Sequence, residues 1–308
     1  MPKPTIDVII PAYNAQDFIV QAIDSVRWQT YPASVIVVDD GSTDLTAERV
    51  KNAFGTDGSV RYVNKQNGGL SSARNRGIAE STAEFIAFLD ADDVWLPHKL
   101  SEQMEIFQKS KDPKLGVVYC GYETIDQLGH IVSNHSRFSM KPSLRGDVSD
   151  QLLCGNYIAG SGSAVLARRE CFETAGGFDE VLPSCEDWDM WLRLSRSYHF
   201  DFVEKPLVQI RRHALNMNRD RYRMSAGTIL FCNKWATEAS KRPGALEVWS
   251  REHAVAIVGA VIRDFPRTGL YRSITSSMSP QLKRLALRQS PQITFGLLAA
   301  LVQKMLRR

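Results

Sequence analysis

The chain has 308 residues, 38 Lys and Arg against 34 Asp and Glu, and 44% hydrophobic residues, the composition of an ordinary globular protein rather than a disordered or repetitive one. Its 20 Gly and 13 Pro follow no period, which excludes collagen-like and mucin-like character. The longest uninterrupted apolar stretch, Phe295 to Val302, is far short of the roughly 18 residues that a membrane-spanning helix requires. No signal-peptide pattern precedes the first strand, so the expected location is the cytoplasm. Cys120, Cys154, Cys171, Cys185 and Cys232 are widely spaced and odd in number, unlike a zinc knuckle or a disulfide framework. The positive balance belongs to residues 281–308, which hold Lys283, Arg284, Arg288, Lys304, Arg307, Arg308 and no acid. The remaining chain is slightly acidic, against a nucleic-acid partner.

In chain order, Ile6 to Pro11 reads as a strand, and Asp17 to Trp28 as a helix with Phe18, Ala22, Ile23 and Val26 on one stripe. Val35 to Val38 is a second strand, Leu45 to Phe54 a second helix, Val60 to Val63 a third strand, and Ser71 to Glu80 a third helix. Glu84 to Leu89 is a fourth strand; a helix then runs to Lys109, with strand-like Gly116 to Tyr122 and Ile158 to Arg168 beyond it. Trp188 to Ser197 is helical, and Leu207 to Gln209 strand-like. Alternating strands and helices imply right-handed βαβ units, hence an α/β fold with a mostly parallel central sheet flanked by helices. From about residue 216 only helical patterns remain: Tyr222 to Ser240, Leu246 to Phe265 and Gln281 to Leu306. The expected organisation is a domain over 1–215 and a helical extension over 216–308.

Open α/β sheets bind ligands beyond the carboxyl ends of their strands. Four polar clusters occupy such ends: Pro11-Ala12-Tyr13-Asn14, Asp39-Asp40-Gly41-Ser42, Asn67-Gly68-Gly69 and Asp90-Ala91-Asp92-Asp93. Carboxylates crowded on one rim raise one another's pKa unless cations or donors compensate. Asp90 and Asp92, at alternate positions leaving a strand, suit one hard divalent cation, Mg²⁺ or Mn²⁺, that bridges a diphosphate. The plainer alternative is that Asp92 and Asp93 cap the following helix.

Taken together, Pro11-x-Tyr13-Asn14, Val37 to Asp44, Asn67-x-Gly69 with Ala73-Arg74-Asn75-x-Gly77, Leu89 to Asp93, Gly177-Phe178-Asp179 and Glu186-Asp187-x-Asp189-x-x-Leu192-Arg193 resemble the inverting family 2 glycosyltransferases of GT-A fold, non-processive type. The match runs from residue 5 to about 215. The resemblance implies a Rossmann-like nucleotide-binding half, a nucleoside-diphosphate sugar donor, a divalent metal, and a hydroxyl of a glycan or lipid-linked acceptor.

It also implies roles. Asp39 falls beside the nucleobase, at what reads as a solvent-facing strand end, with Pro11, Ala12, Tyr13 and Asn14 lining the base and Asp40 in the adjoining turn. Gly69, Arg74, Asn75, Asp90, Ala91 and Asp92 complete the donor side. Asp90 and Asp92 match the metal-binding DxD, and His213 matches a position where some members place a metal-binding or phosphate-facing histidine; a surface histidine is the alternative. Gly177, Glu186 and Trp188 fall on the acceptor side. Asp187 matches the catalytic base, with Glu186 and Asp189 as rivals and helix capping as the non-catalytic alternative. Gln209-Ile210-Arg211-Arg212-His213 departs from the QxxRW of processive members, which favours addition of one sugar per encounter. A catalytically silent nucleotide-sugar-binding protein is the competing reading. The apolar and basic tail over 281–308 suits either an anionic membrane surface or packing on the body.

Overall fold

The computed structural model describes residues 3–132, 142–158, 160–214, 216–239 and 241–242. The helices expected over 246–265 and 281–306, and the basic tail, lie outside the described residues. The chain divides into two units, one of residues 1–152, 156–180 and 187–214, the other of 153–155, 181–186 and 215–308. Two short pieces thus group with the second unit although the sequence pattern placed them in the first.

The first unit is built on an eight-stranded sheet: β1 (Ile6–Ala12), β2 (Ser34–Asp39), β3 (Val60–Asn64), β4 (Phe85–Phe88), β5 (Val94–Trp95), β6 (Leu115–Ile125), β7 (Val165–Arg168) and β8 (His199–Arg211). Their order is β3-β2-β1-β4-β7-β6-β8-β5. β1 to β4 pair in parallel, as the alternation of elements predicts. Beyond β4 the sheet is mixed, because β7 runs antiparallel between β4 and β6, and β5 antiparallel to β8. The helices are α1 (Ile19–Arg27), α2 (Thr46–Phe54), α3 (Leu70–Glu80), α4 (Lys99–Lys109), α5 (Ser149–Cys154), α6 (Arg169–Ala175) and α7 (Glu186–Leu194).

Both faces of the sheet are covered, which is why its strands are apolar without alternation. On one face Ile6, Val8, Ile10 and Ala12 of β1 pack in a single cluster with Ile19, Ala22, Ile23 and Val26 of α1 and with Leu100, Met104 and Phe107 of α4. On the other, α3 lies so close to β1 that a Cβ on Gly77 would stand 2.3 Å from the Ile9 side chain. An aromatic chain continues that face: Phe88 meets Phe172 and Phe178 edge-on, and Phe178 meets Trp191 of α7.

Three segments differ from their sequence pattern. Of Ile158 to Arg168, only Val165 to Arg168 is strand; Gly160 and Ser161 take left-handed φ of 92° and 53°, and a turn of 3₁₀ helix covers Gly162 to Ala164. β8 extends well upstream of Leu207, and α6 was masked by its shortness. In the second unit the described helix is α8 (Arg221–Ala239), where Phe231 and Trp235 are buried. All five cysteines are free thiols. Among the described residues no helix is long and apolar enough to cross a membrane.

Gly77→Ala should destabilise the protein by about 1–3 kcal/mol despite the better helix propensity of Ala, because the added methyl overlaps a buried Ile9 that has no room to move. Urea unfolding measures it, and an unchanged midpoint would mean that α3 can slide on β1.

Candidate active site

The loops after β1 and β2 clamp each other. Asn14, held at φ 50°, donates its N–H to Ser42 Oγ at 2.9 Å and accepts from the Thr43 N–H through Oδ1 at 2.9 Å. Asp44 accepts the Gln16 and Thr46 N–H groups, and Thr46 Oγ1 accepts from Ala15. Gly41 turns at φ 76° with the Asn67 N–H only 3.0 Å from where a Cβ would sit, so the residue must be glycine.

Within this clamp the two adjacent acids do different work. Asp40 accepts three donors, Lys65 Nζ at 2.6 Å, Gly68 N–H at 2.9 Å and Gly69 N–H at 2.6 Å, and so shapes the loop that opens α3. Asp39 ends β2 and is 1% exposed, not solvent-facing as its strand-end position predicts. Its Oδ1 accepts the Ser42 N–H at 2.8 Å and its Oδ2 the Tyr62 hydroxyl at 2.5 Å. Beside them Pro11 and Ala12 are buried strand residues, whereas the Tyr13 ring is 55% exposed.

The turn after β4 carries Asp90, Ala91, Asp92 and Asp93, and each acid has its own partner. Asp90 Oδ1 accepts from Arg74 at 2.8 Å; that guanidinium is fully buried and stacked against Phe88 and Phe178. Asp92 Oδ2 lies 2.8 Å from His213 Nε2, with the His213 ring against Phe18. Asp93 is buried and accepts from Ser163 Oγ at 2.7 Å and from the Arg211 N–H at 3.0 Å. Burial and the neighbouring Asp92 and Asp90 push the Asp93 carboxyl well above the usual carboxylate range, while the Ser163 and Arg211 donors pull it down.

Two residues that sequence reasoning passed over hold this turn. Ser163 accepts the Asp90 N–H at 3.0 Å while donating to Asp93, and its carbonyl accepts the Trp95 indole N–H. Arg211, 2% exposed, binds the Asp92 carbonyl, the Asp126 and Gln127 carbonyls and Gln21 of α1. The Gly160-Ser161-Gly162-Ser163 run was the available signal for the first, since alternating Gly and Ser does not suit a strand.

For a metal, the expected three-residue set is not gathered: among the described residues no three or more His, Cys, Asp or Glu side chains form a cage. Asp92 and His213 meet, and Asp90 is turned to Arg74. The Asp92 oxygen is a donor that fits Mg²⁺ or Mn²⁺, and the His213 nitrogen, brought to it from beyond β8, suits the softer Mn²⁺ better than Mg²⁺.

On the other side of the aromatic chain, Asn75 is committed to the loop before α7. It accepts the Phe178 N–H at 2.6 Å and donates to the Phe178 carbonyl and to Glu180, so its polar atoms serve the fold rather than a donor. Arg76 is a surface charge paired with Glu80. Gly177 has no room for a Cβ beside Asn75. Arg193 binds the Ala175 and Gly177 carbonyls and pairs with Asp189, which is fully buried. Asp189 is thus committed to Arg193 inside the fold. Asp187, partly exposed in the first turn of α7, accepts the Trp188 N–H at 2.7 Å; the Trp188 indole donates to the Leu152 carbonyl. Glu186 is 4% exposed and groups with the second unit.

The sequence model described as glycosyl transferase family 2 matches residues 7–175. An uncharacterised glycosyltransferase of Rickettsia prowazekii is 36% identical over 218 residues, 69% of this chain and 65% of that protein. Chondroitin synthase of Escherichia coli is 28% identical over 203 residues, 66% of this chain and 28% of its own length. Among solved structures, Staphylococcus aureus TarS 1–349 in complex with UDP-GlcNAc superposes with a TM-score of 0.66 at 16% identity, over 96% of this chain and 88% of TarS. Mannosyltransferase PcManGT from Pyrobaculum calidifontis, in complex with GDP-Man and Mn²⁺, gives 0.59 at 21% identity, over 99% and 88%. The chain belongs to glycosyltransferase family 2, and its fold is the GT-A type. It spans between 34% and 65% of the length of the Rickettsia prowazekii protein and of a second such relative from Rickettsia conorii.

Ser163→Ala should loosen the acidic turn and cost about 1–3 kcal/mol, because the buried Asp93 carboxyl loses one of its two donors and the part-buried Asp90 N–H loses its acceptor. Thermal unfolding at neutral pH tests it; a melting temperature equal to the parent's would remove Ser163 from the support of the turn.

Proposed function

We propose that the protein is a metal-dependent, inverting glycosyltransferase that moves one sugar per encounter from a nucleoside-diphosphate sugar to a hydroxyl of a glycan or lipid-linked acceptor, in the building of cell-surface polysaccharide or glycolipid. The observation that carries the reading is the gathering, beyond the ends of β1, β2 and β4, of a buried Asp39, an exposed Tyr13 ring and the Asp92–His213 pair. A base edge, a stacking face and a diphosphate-side cation site are the three things that such a donor requires.

In this reading Asp39 accepts an N–H of the base and the Tyr13 ring covers it, while Arg74 fixes Asp90 so that the turn keeps its shape. Asp92 and His213 would hold Mg²⁺ or Mn²⁺, which when bound supplies charge stabilisation for the departing diphosphate. Asp187 takes the acceptor hydroxyl proton as the oxygen attacks the anomeric carbon from the face opposite the diphosphate, which inverts that centre. The start of α7 suits an acid that must stay ionised, since the helix N-terminus favours negative charge. TarS and PcManGT, with UDP-GlcNAc and with GDP-Man and Mn²⁺, support the donor class and the metal. Attachment of the protein through the basic residues of 281–308 to an anionic membrane, near a lipid-linked acceptor, belongs to the same reading and rests on sequence alone.

Nucleoside-diphosphate release across a panel of sugar donors, with and without Mn²⁺, tests the proposal, and release from none of them would favour the silent binding protein. Asp187→Asn should lower turnover by about 10²-fold or more with donor affinity nearly unchanged, since only proton acceptance is lost; activity equal to the parent's would take the base away from Asp187. His213→Ala should raise the Mn²⁺ concentration needed for half-maximal donor binding by about tenfold, as the loss of one ligand commonly does. Donor binding that survives chelation in the parent would exclude the metal.

A further inference from the structure

We infer that the buried Lys99 ammonium is a positioning group for the acidic turn: it holds the Trp95 indole and the Gln103 amide, and these hold the consecutive Ser163 and Ala164 carbonyls, which sets the Ser163 hydroxyl between Asp90 and Asp93. What the turn then serves, the diphosphate side of the donor, rests on the function proposed above.

Lys99 is the first residue of α4 and is fully buried. Among the described residues no Asp or Glu pairs with it. Its ammonium lies 3.8 Å from the centroid of the Trp95 ring and donates to Gln103 Oε1 at 2.9 Å. Glu102 of the same helix is paired with Lys205 of β8. The titratable side chain that acts on Lys99 from β6 is Cys120, whose thiol burial pushes up to about 11 and so keeps neutral. A cation in this place carries three costs: it is removed from water, it lacks an acid, and it stands at the helix end whose dipole favours anions. A Leu or Met would fill similar space without them, so packing alone does not account for a lysine.

The contacts of its two neighbours do. Trp95 Nε1–H donates to the Ser163 carbonyl at 2.8 Å, and Gln103 Nε2 donates to the Ala164 carbonyl at 3.0 Å and to the Val118 carbonyl at 2.9 Å. A cation over the indole face and at the amide oxygen draws electron density from both groups and strengthens their N–H donors. It also fixes which way the amide points, since Oε1 turned to the ammonium leaves Nε2 for the carbonyls. Both of the held carbonyls at 163 and 164 belong to the turn of 3₁₀ helix from which Ser163 Oγ accepts the Asp90 N–H at 3.0 Å and donates to Asp93 at 2.7 Å. Burial pulls the Lys99 pKa down to about 8, so the amine is charged at neutral pH and loses its proton not far above it. Because that value lies below lysine's ordinary one, raising the pH through 8 relieves the burial cost and favours the fold as a whole, yet it withdraws the cation from Trp95 and Gln103. Overall stability and the hold on the turn then move in opposite directions, which a lysine that served the core alone would not produce.

Amide hydrogen exchange of the full chain, followed at the Asp90 N–H that Ser163 accepts and at the Asp40 N–H that the Ala12 carbonyl accepts, tests the inference. In the parent the ratio of the Asp90 rate to the Asp40 rate should rise about threefold or more between pH 7 and 9, with its midpoint near 8. Lys99→Met should show a ratio about threefold or more above the parent's already at pH 7, without further change up to pH 9, and should weaken the binding of UDP or GDP in Mg²⁺ by a similar factor. Lys109→Met removes an exposed cation of the same helix, paired with Glu105, and should match the parent in both measurements. A parent ratio that stays flat from pH 7 to 9, or equal acceleration of both amides in Lys99→Met, overturns the inference; the parent profile decides it even where Lys99→Met does not fold. A parent that binds neither nucleotide, or an affinity unchanged in a variant whose ratio has risen, overturns the donor reading of the turn and leaves the hold of Lys99 on it standing.

Discussion

Three carboxylates within four residues repel one another, and the candidate site exists because the fold brings each of them a different donor. Asp90 has the Arg74 guanidinium, Asp92 has His213, and Asp93 has the Ser163 hydroxyl and the Arg211 N–H. None of these donors is local in sequence. The sheet order explains how they reach the turn: β4 stands in the middle, with β1, on which α3 packs, on one side, β7 on the other, and the end of β8 paired to β5 just beyond the turn. The most buried of the three, Asp93, has its carboxyl pushed above the usual carboxylate range by burial and by Asp92 and Asp90, and the Ser163 and Arg211 donors oppose that push.

This distribution explains what the sequence could and could not disclose. Strands, helices and the polar rim were legible because apolar runs ending in Asp, Asn and Gly are a local pattern; β1 to β4 fall within a residue or two of the positions read from periodicity. The resemblance set Asp39 beside the base and Asp40 in the turn, but the partners of each, and the burial of Asp39, were not legible. Adjacent carboxylates at one strand end look alike until the partners appear, and Asp40 proves to be spent on Lys65 and two glycine N–H groups. Asn75 is the same case: its motif position suggests the donor, yet it binds backbone and side chain at 178–180. Ser163 was hidden differently, inside a segment whose apolar ends read as one strand and whose middle is a left-handed turn.

At the start of α7 the same kind of sorting separates acids that lie within four residues. Asp189 is locked to Arg193, and Arg193 in turn holds the carbonyls of the Gly176–Gly177 loop. A pair that fastens a loop cannot also exchange protons with a substrate without loosening that loop. Asp187, the second residue of α7, is partly exposed and accepts the Trp188 N–H.

Arg211 has a further consequence, for the order in which the protein assembles. Its guanidinium joins Gln21, 190 positions earlier, to the Asp92 carbonyl, 119 positions earlier. At synthesis rates of about 5–20 residues per second, β1 to β4 and their helices would leave the ribosome roughly 6–25 s before Arg211 does. The loop clamp that positions Asp39 draws only on residues before 70, so it can close in that interval. The acidic turn cannot, because Ser163, Arg211 and His213 have yet to be made. Arg74 is already present to meet Asp90, so it is Asp92 and Asp93 that await their partners, and the arrival of the last sheet strand turns this pair from a source of repulsion into a fixed part of the fold.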